Sequence, residues 1–184
     1  KQVYFIGIGG IGMSALARYY LATGWAVSGS DMQDSKLIKE LKLEGIKVKI
    51  GQNKANLSKK IDLVIYNQAV QASNPEYKEC IKRGIKLLSY PEAIGELTLK
   101  YKTIAISGSH GKSTTTSITA LTLISAGFDP MVIVGTRMRE LISEEQKVKK
   151  VNSSNFRLGN GKWLVLEADE FGKAFHNYYP YAAL

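Results

Sequence analysis

The sequence predicts an α/β protein made of two successive open sheets, on three observations. Short apolar runs alternate with amphipathic stretches through the first hundred residues. The alternation resumes at Lys102-Thr-Ile-Ala-Ile106. In both places an apolar run leads directly into a glycine-rich turn and a helical stretch. Taken in order, strands are expected at 3–6, 26–28, 48–50, 62–66 and 85–88, with helices at 13–22, 36–43 and 75–83 between them. This βαβ rhythm is that of a Rossmann-like open parallel sheet. After Ser89-Tyr-Pro-Glu92 and a short helical stretch, the second part offers a strand at 102–106, a helix at 112–126, and strands at 131–134 and 162–166. Residues 135–160 carry the weakest pattern, and the Gly, Asn and Ser content of 152–161 predicts loops. A domain boundary is expected near residue 98, giving one domain over 1–98 and the opening part of another over 99–184. The closing apolar run from Tyr178 to Leu184 begins a further strand, so the sequence reads as the amino-terminal portion of a larger protein.

Composition narrows the class. The 184 residues are 45% hydrophobic and 22% charged, with 17 Gly, 4 Pro and one cysteine, which excludes collagen-like, disordered and disulfide-stapled chains. No stretch reaches the roughly 18 apolar residues of a membrane span, so a cytoplasmic protein without membrane insertion is expected. The net charge of +9 invites a nucleic-acid partner, but the basic excess is spread through both halves. The cluster Lys147, Lys149 and Lys150 reads as a solvated face, no nucleic acid is expected, and no specific protein partner is inferred.

The chemistry sits in two glycine clusters and one acidic one. Gly7-Ile-Gly-Gly-Ile-Gly12 satisfies GxGxxG between a strand and a helix, where the backbone can approach a pyrophosphate and the helix start favours its charge. Asp31, at the end of the second strand, could accept from ribose hydroxyls. The plainer alternative is a tight strand-to-helix connection with Asp31 as a turn residue. In Gly108-Ser109-His110-Gly111-Lys112-Ser113, a loop lies between a strand and the helix opening at Thr114. Loop amides can cradle phosphates there, Lys112 can reach the terminal ones, and the Ser113 hydroxyl can sit on Mg²⁺. The strict pattern asks for glycine where this chain has Ile106. The second domain is thus expected to be an incomplete P-loop ATPase-type α/β domain. Finally, Trp163-Leu-Val-Leu-Glu167-Ala-Asp169-Glu170 delivers carboxylates at the carboxyl end of a strand, where an open sheet places a metal-bound phosphate, with Glu167 the leading ligand. Arg157 could reach a substrate anion, whereas Cys80 reads as a core residue and His176 as packed or exposed.

The segments FIGIGGIGMSALA (5–17), SGSD (28–31), SGSHGKSTTT (107–116) and NFRLGNGKWLVLEADE (155–170) together resemble the Mur ligase family, and the resemblance extends over essentially the whole chain. It implies a UDP-sugar-binding domain over 1–98, the start of a central ATP-binding domain over 99–184, and a carboxy-terminal ligase domain absent from this sequence. It places Gly9, Gly10, Ile11 and Gly12 at the nucleotide-sugar diphosphate, with Ser30 and Asp31 toward the uridine. It also places Gly108 to Thr114 at ATP, Lys112 on the transferring phosphate, and Ser113 and Glu167 on Mg²⁺. The implied reaction joins L-alanine to the carboxylate of UDP-N-acetylmuramate through an acyl phosphate, in peptidoglycan precursor synthesis. The rival readings are a ligase that recycles a tripeptide onto the same sugar acid, a noncatalytic UDP-sugar-binding fragment, and a nicotinamide-dependent dehydrogenase.

Overall fold

The computed structural model describes residues 1–143, 153–168 and 171–184, and they form two compact units, Lys1–Tyr90 and Pro91–Leu184. The Lys147 to Lys150 cluster, Asp169 and Glu170 lie outside the described residues.

In the first unit, β1 (Gln2–Ile6), β2 (Ala26–Asp31), β3 (Lys47–Ile50), β4 (Leu63–Tyr66) and β5 (Leu87–Ser89) form one sheet in the order β3-β2-β1-β4-β5. Every pairing in it is parallel. The helices α1 (Ile11–Ala22), α2 (Lys36–Leu43) and α3 (Pro75–Lys82) are the crossovers. Strand order reverses between β1 and β4, which opens a crevice at their carboxyl ends. Both faces of β1 are buried, with Val3 and Phe5 on one side and Tyr4 and Ile6 on the other, so the strand reads as a continuous apolar run. Tyr4 and Ile6 pack with Leu57, Val64 and Cys80. The helix α3 is specified locally: the Asn74 side chain accepts from the Glu76 and Tyr77 amides, Pro75 sits in the first turn, and Lys82 lies in the last.

The strand β2 runs three residues beyond its expected end. Gly29 and Ser30 look like turn residues, but Gly29 is there for closeness, since a Cβ on it would stand 2.6 Å from the Phe5 carbonyl oxygen of β1.

The second unit contains α4 (Tyr90–Thr98) from Pro91 onward, β6 (Lys102–Ile106), α5 (Lys112–Ser125), β7 (Met131–Met138), β8 (Ser154–Arg157), β9 (Trp163–Glu167) and β10 (Ala182–Ala183). The sheet order is β10-β6-β9-β7-β8. The strands β6, β9, β7 and β10 run parallel, while β8 is antiparallel to β7. Two expectations are corrected here. The strand β7 continues to Met138, and Ser154–Arg157 is a strand rather than loop, with Ile133 paired to Phe156. The core of this unit joins Ile106, Ala120, Val132, Val134 and Val165. Ile106 is the last residue of β6 and buried, so the position where the strict phosphate-loop pattern has glycine belongs here to the strand end and the core.

Candidate functional site

The first glycine cluster begins at the carboxyl end of β1. Gly7 adopts φ 79°, and the Gly7 and Ile8 amides both donate to the Ser30 carbonyl at 2.9 and 3.0 Å, tying the turn to the end of β2. Gly9 donates to Asp31 Oδ2 at 2.7 Å, and a Cβ there would lie 2.8 Å from the same oxygen. At Gly12 a Cβ would meet the Tyr90 hydroxyl at 2.5 Å, so this glycine admits a tyrosine.

Beside the turn is a cleft of about 700 Å³, within the range of small-molecule sites, lined among others by Gly9, Gly10, Asp31, Met32, Asn67 and Asn74. Gly10 is the N-cap of α1 and brings no capping side chain. Asp31 Oδ1 accepts from the Gln33 amide at 3.1 Å, so both carboxylate oxygens brace main chain while the residue lines the cleft. Ile11 is exposed. Ser30 is fully buried, and its hydroxyl donates to Glu76 Oε2 at 2.5 Å, beneath the cleft floor rather than in it. Sequence reasoning missed Asn67, although its place directly after β4 is the signal that an open sheet offers.

The second cluster joins β6 to α5. Gly108 and Gly111 take φ 140° and 76°, conformations that side chains rarely adopt, and Gly111 is the left-handed N-cap of α5. Ser109, His110 and Thr114 are exposed, and Lys112 Nζ donates to the Gly108 carbonyl at 2.7 Å, folding the ammonium back over the loop. The adjoining strand β9 delivers Glu167. The Ser113 hydroxyl donates to Glu167 Oε1 at 3.0 Å, and the Gly135 amide, from β7, donates to Oε2 at 2.7 Å. Gly135 is a further omission of the sequence reading, signalled only by a lone glycine after an apolar strand. A Cβ on it would stand 2.6 Å from Glu167 Oε1.

A hydroxyl and a carboxylate brought together beside a phosphate-type loop suit a hard cation whose other ligands are phosphate and water oxygens. Among the described residues there is no group of three or more His, Cys, Asp and Glu that could hold a metal ion.

Within its own unit, Arg157 is not brought to the second cluster. Its guanidinium donates to the Asp129 carboxylate and, at 2.8 Å, to the Pro130 carbonyl, at the start of β7 and the opposite end of the sheet from Gly135. The Asn160 amide and then Arg157 hold the Asp129 carboxyl below its ordinary range. Cys80 is fully buried, and burial pushes its thiol up to about 11, which suits a core residue and not a nucleophile. His176 is exposed and stacked on Phe175. No helix among the described residues is long and apolar enough to cross a membrane.

Comparison with known proteins agrees with this geometry. Residues 2–102 match the model of the Mur ligase family, catalytic domain. The chain is 42% identical over its full length to the UDP-N-acetylmuramate–L-alanine ligase of Aquifex aeolicus, of which it spans 38%. It is 40% identical over 182 residues to that of Carboxydothermus hydrogenoformans, spanning 37%. Among solved structures, the UDP-N-acetylmuramate–alanine ligase of Thermotoga maritima superposes with a TM-score of 0.86 at 30% identity, covering 97% of this chain and 39% of that one. A ligase of Neisseria meningitides that acts with UDP-N-acetylmuramate and an L-alanyl-γ-D-glutamyl-meso-diaminopimelate peptide also gives 0.86, at 26% identity, covering 100% of this chain and 59% of that one. The chain thus spans well under half the length of the curated relatives. With the parallel architecture, the two glycine turns and a family match that extends over more than half of its residues, this chain is a member of the Mur ligase family.

Proposed function

We propose that this chain is the nucleotide-sugar- and ATP-binding part of a cytoplasmic ligase that joins L-alanine to the carboxylate of UDP-N-acetylmuramate. In this reading residues 1–98 bind the UDP-sugar and 99–184 open the ATP-binding domain. The observation that carries it is the meeting of the Ser113 hydroxyl with the Glu167 carboxylate beside the Gly108–Ser113 loop, in a unit separate from the Gly9 cleft. Two anion-binding turns on two sheets suit an enzyme that takes two phosphorylated substrates, and a dehydrogenase needs only the first.

In the proposed reaction the muramate carboxylate attacks the γ-phosphate of ATP, giving an acyl phosphate and ADP, and the alanine amine then displaces phosphate. Lys112 and the loop amides stabilise charge on the transferring oxygens. Ser113 and Glu167 would hold Mg²⁺, which supplies further neutralisation of that charge when bound. On the sugar side, the Gly9, Gly10, Ile11 and Gly12 turn takes the diphosphate while Asp31 fixes the turn and faces the ribose. Ser30 is assigned a structural role through its bond to Glu76, and Arg157 one through its bonds to Asp129 and Pro130.

Identity with the alanine ligases favours alanine as acceptor. The equal TM-score of the peptide-joining ligase supports a second reading, in which a tripeptide is joined to the same sugar acid. Calorimetric titration with UDP-N-acetylmuramate and, separately, NAD tests the cleft. Saturable binding of the first alone is expected, and binding of NAD alone would refute the reading.

A further inference from the structure

Glu76 is wholly buried, yet it carries a carboxyl group that the proposed chemistry does not use. Its oxygens accept from four donors on three segments. Tyr4 of β1 gives its hydroxyl at 2.9 Å and Ser30 of β2 at 2.5 Å, while the segment after β3 gives the Asn53 amide at 3.2 Å and the Asn56 side-chain amide at 2.7 Å. Two of these segments, and that of Glu76 itself, adjoin cleft walls. Asp31 and Met32 follow Ser30, Gln52 precedes Asn53, and Asn74 and Pro75 precede Glu76 itself. The last two walls are also joined directly, since Asn74 Nδ2 donates to Gln52 Oε1 at 2.6 Å.

A buried acid is costly unless its lone pairs are satisfied, and a hydrophobic side chain would fill the same volume without that requirement. What the acid adds is a common acceptor that ties the start of α3 to the end of β2 and to the segment after β3. The Asn53 and Asn56 nitrogens can only donate and both reach Oε1, so an apolar side chain of similar size would leave them without this acceptor, whereas an amide with its oxygen at the Oε1 place can still accept from them and donate to the Ser30 hydroxyl.

We propose that Glu76 is a positioning residue for the nucleotide-sugar cleft, holding its three walls in register through the Ser30, Asn53 and Asn56 bonds. The inference rests on reading the cleft as the UDP-sugar site. The test is calorimetric titration of the chain with UDP, paired with amide hydrogen exchange without ligand, on wild type, Glu76→Leu, Asn56→Ala and Val64→Ala. Glu76→Leu, which removes the common acceptor, is expected to weaken UDP binding about tenfold or more, the scale on which a small misplacement acts. It should also speed exchange at residues 31–33 and 51–56. Asn56→Ala should affect only the second segment and weaken UDP less. Val64→Ala lowers the stability of the same core with all four bonds intact, and should keep wild-type affinity. The proposal is overturned if Glu76→Leu binds UDP like wild type, or if Val64→Ala loses as much. Should wild type bind no UDP, the functional reading fails, and exchange alone decides: selective acceleration in the two segments supports the positioning role, and an unchanged pattern refutes it.

Discussion

A single methyl group at position 135, midway along β7, would end the arrangement around Glu167. Gly135 both donates its amide to Glu167 and leaves the space that the carboxylate fills, with 2.6 Å between Oε1 and any added Cβ. Gly135→Ala is therefore expected to displace Glu167 and weaken Mg·ATP binding about tenfold, while UDP-N-acetylmuramate binding stays at the wild-type level; parallel titrations measure both. At this scale the sequence revealed residue types better than partners. Lys112, Ser113 and Glu167 were legible because a loop motif and a strand end fix their places. Ser30 and Arg157 were read as ligand contacts, but their partners, Glu76 and Asp129, lie 46 and 28 residues away in sequence. Nothing local announces such pairs.

Among the elements, the helices were readable to within a residue or two, as α3 shows, whereas β7 runs four residues past the apolar run that announced it. Removing the α3 cap with Asn74→Ala frees two amides and should cost about 1 kcal/mol in urea unfolding, with more if the Gln52 bond also matters. The strand β8 was unreadable, since four residues, Ser154–Arg157, are held by pairing with β7 and carry no decisive alternation of their own. The helix pair α1 and α2 hides another long-range element. Arg18 and Glu44 form a buried ion pair at 2.6 Å, with side chains 2% and 4% exposed. Glu44→Leu alone leaves a buried guanidinium and should destabilise by about 3–5 kcal/mol, whereas Arg18→Met with Glu44→Leu should recover most of it, as a double-mutant unfolding cycle would read.

For the whole molecule, pH acts through the same buried groups. Burial raises the Tyr4 hydroxyl above its ordinary range and moves the Cys80 thiol from 9.0 to about 11. Between those thiol values the unfolded chain has released protons that the folded chain keeps, so stability falls as pH rises. Unfolding from pH 8 to 11 should show this fall, with a shallower slope in Cys80→Ala. Asp129 works in the opposite direction: its depressed carboxyl supplies stability above the ordinary carboxylate range that is lost as pH falls through the folded value. Fold class was visible in sequence because the βαβ rhythm repeats. The cleft was visible only as its glycine turn and Asp31, because its other walls come from the segments after β2, β3 and β4, which meet in space alone.

The central claim is that two separate phosphate sites serve one ligase, the UDP-sugar on the first unit and Mg·ATP on the second. Its most direct test is a cross-titration of wild type and Lys112→Met with UDP-N-acetylmuramate and Mg·ATP. Wild type should bind both, and the variant should keep the sugar nucleotide while losing most of its affinity for Mg·ATP. Unchanged Mg·ATP binding in the variant, or loss of both ligands from a protein that still folds, would contradict the account.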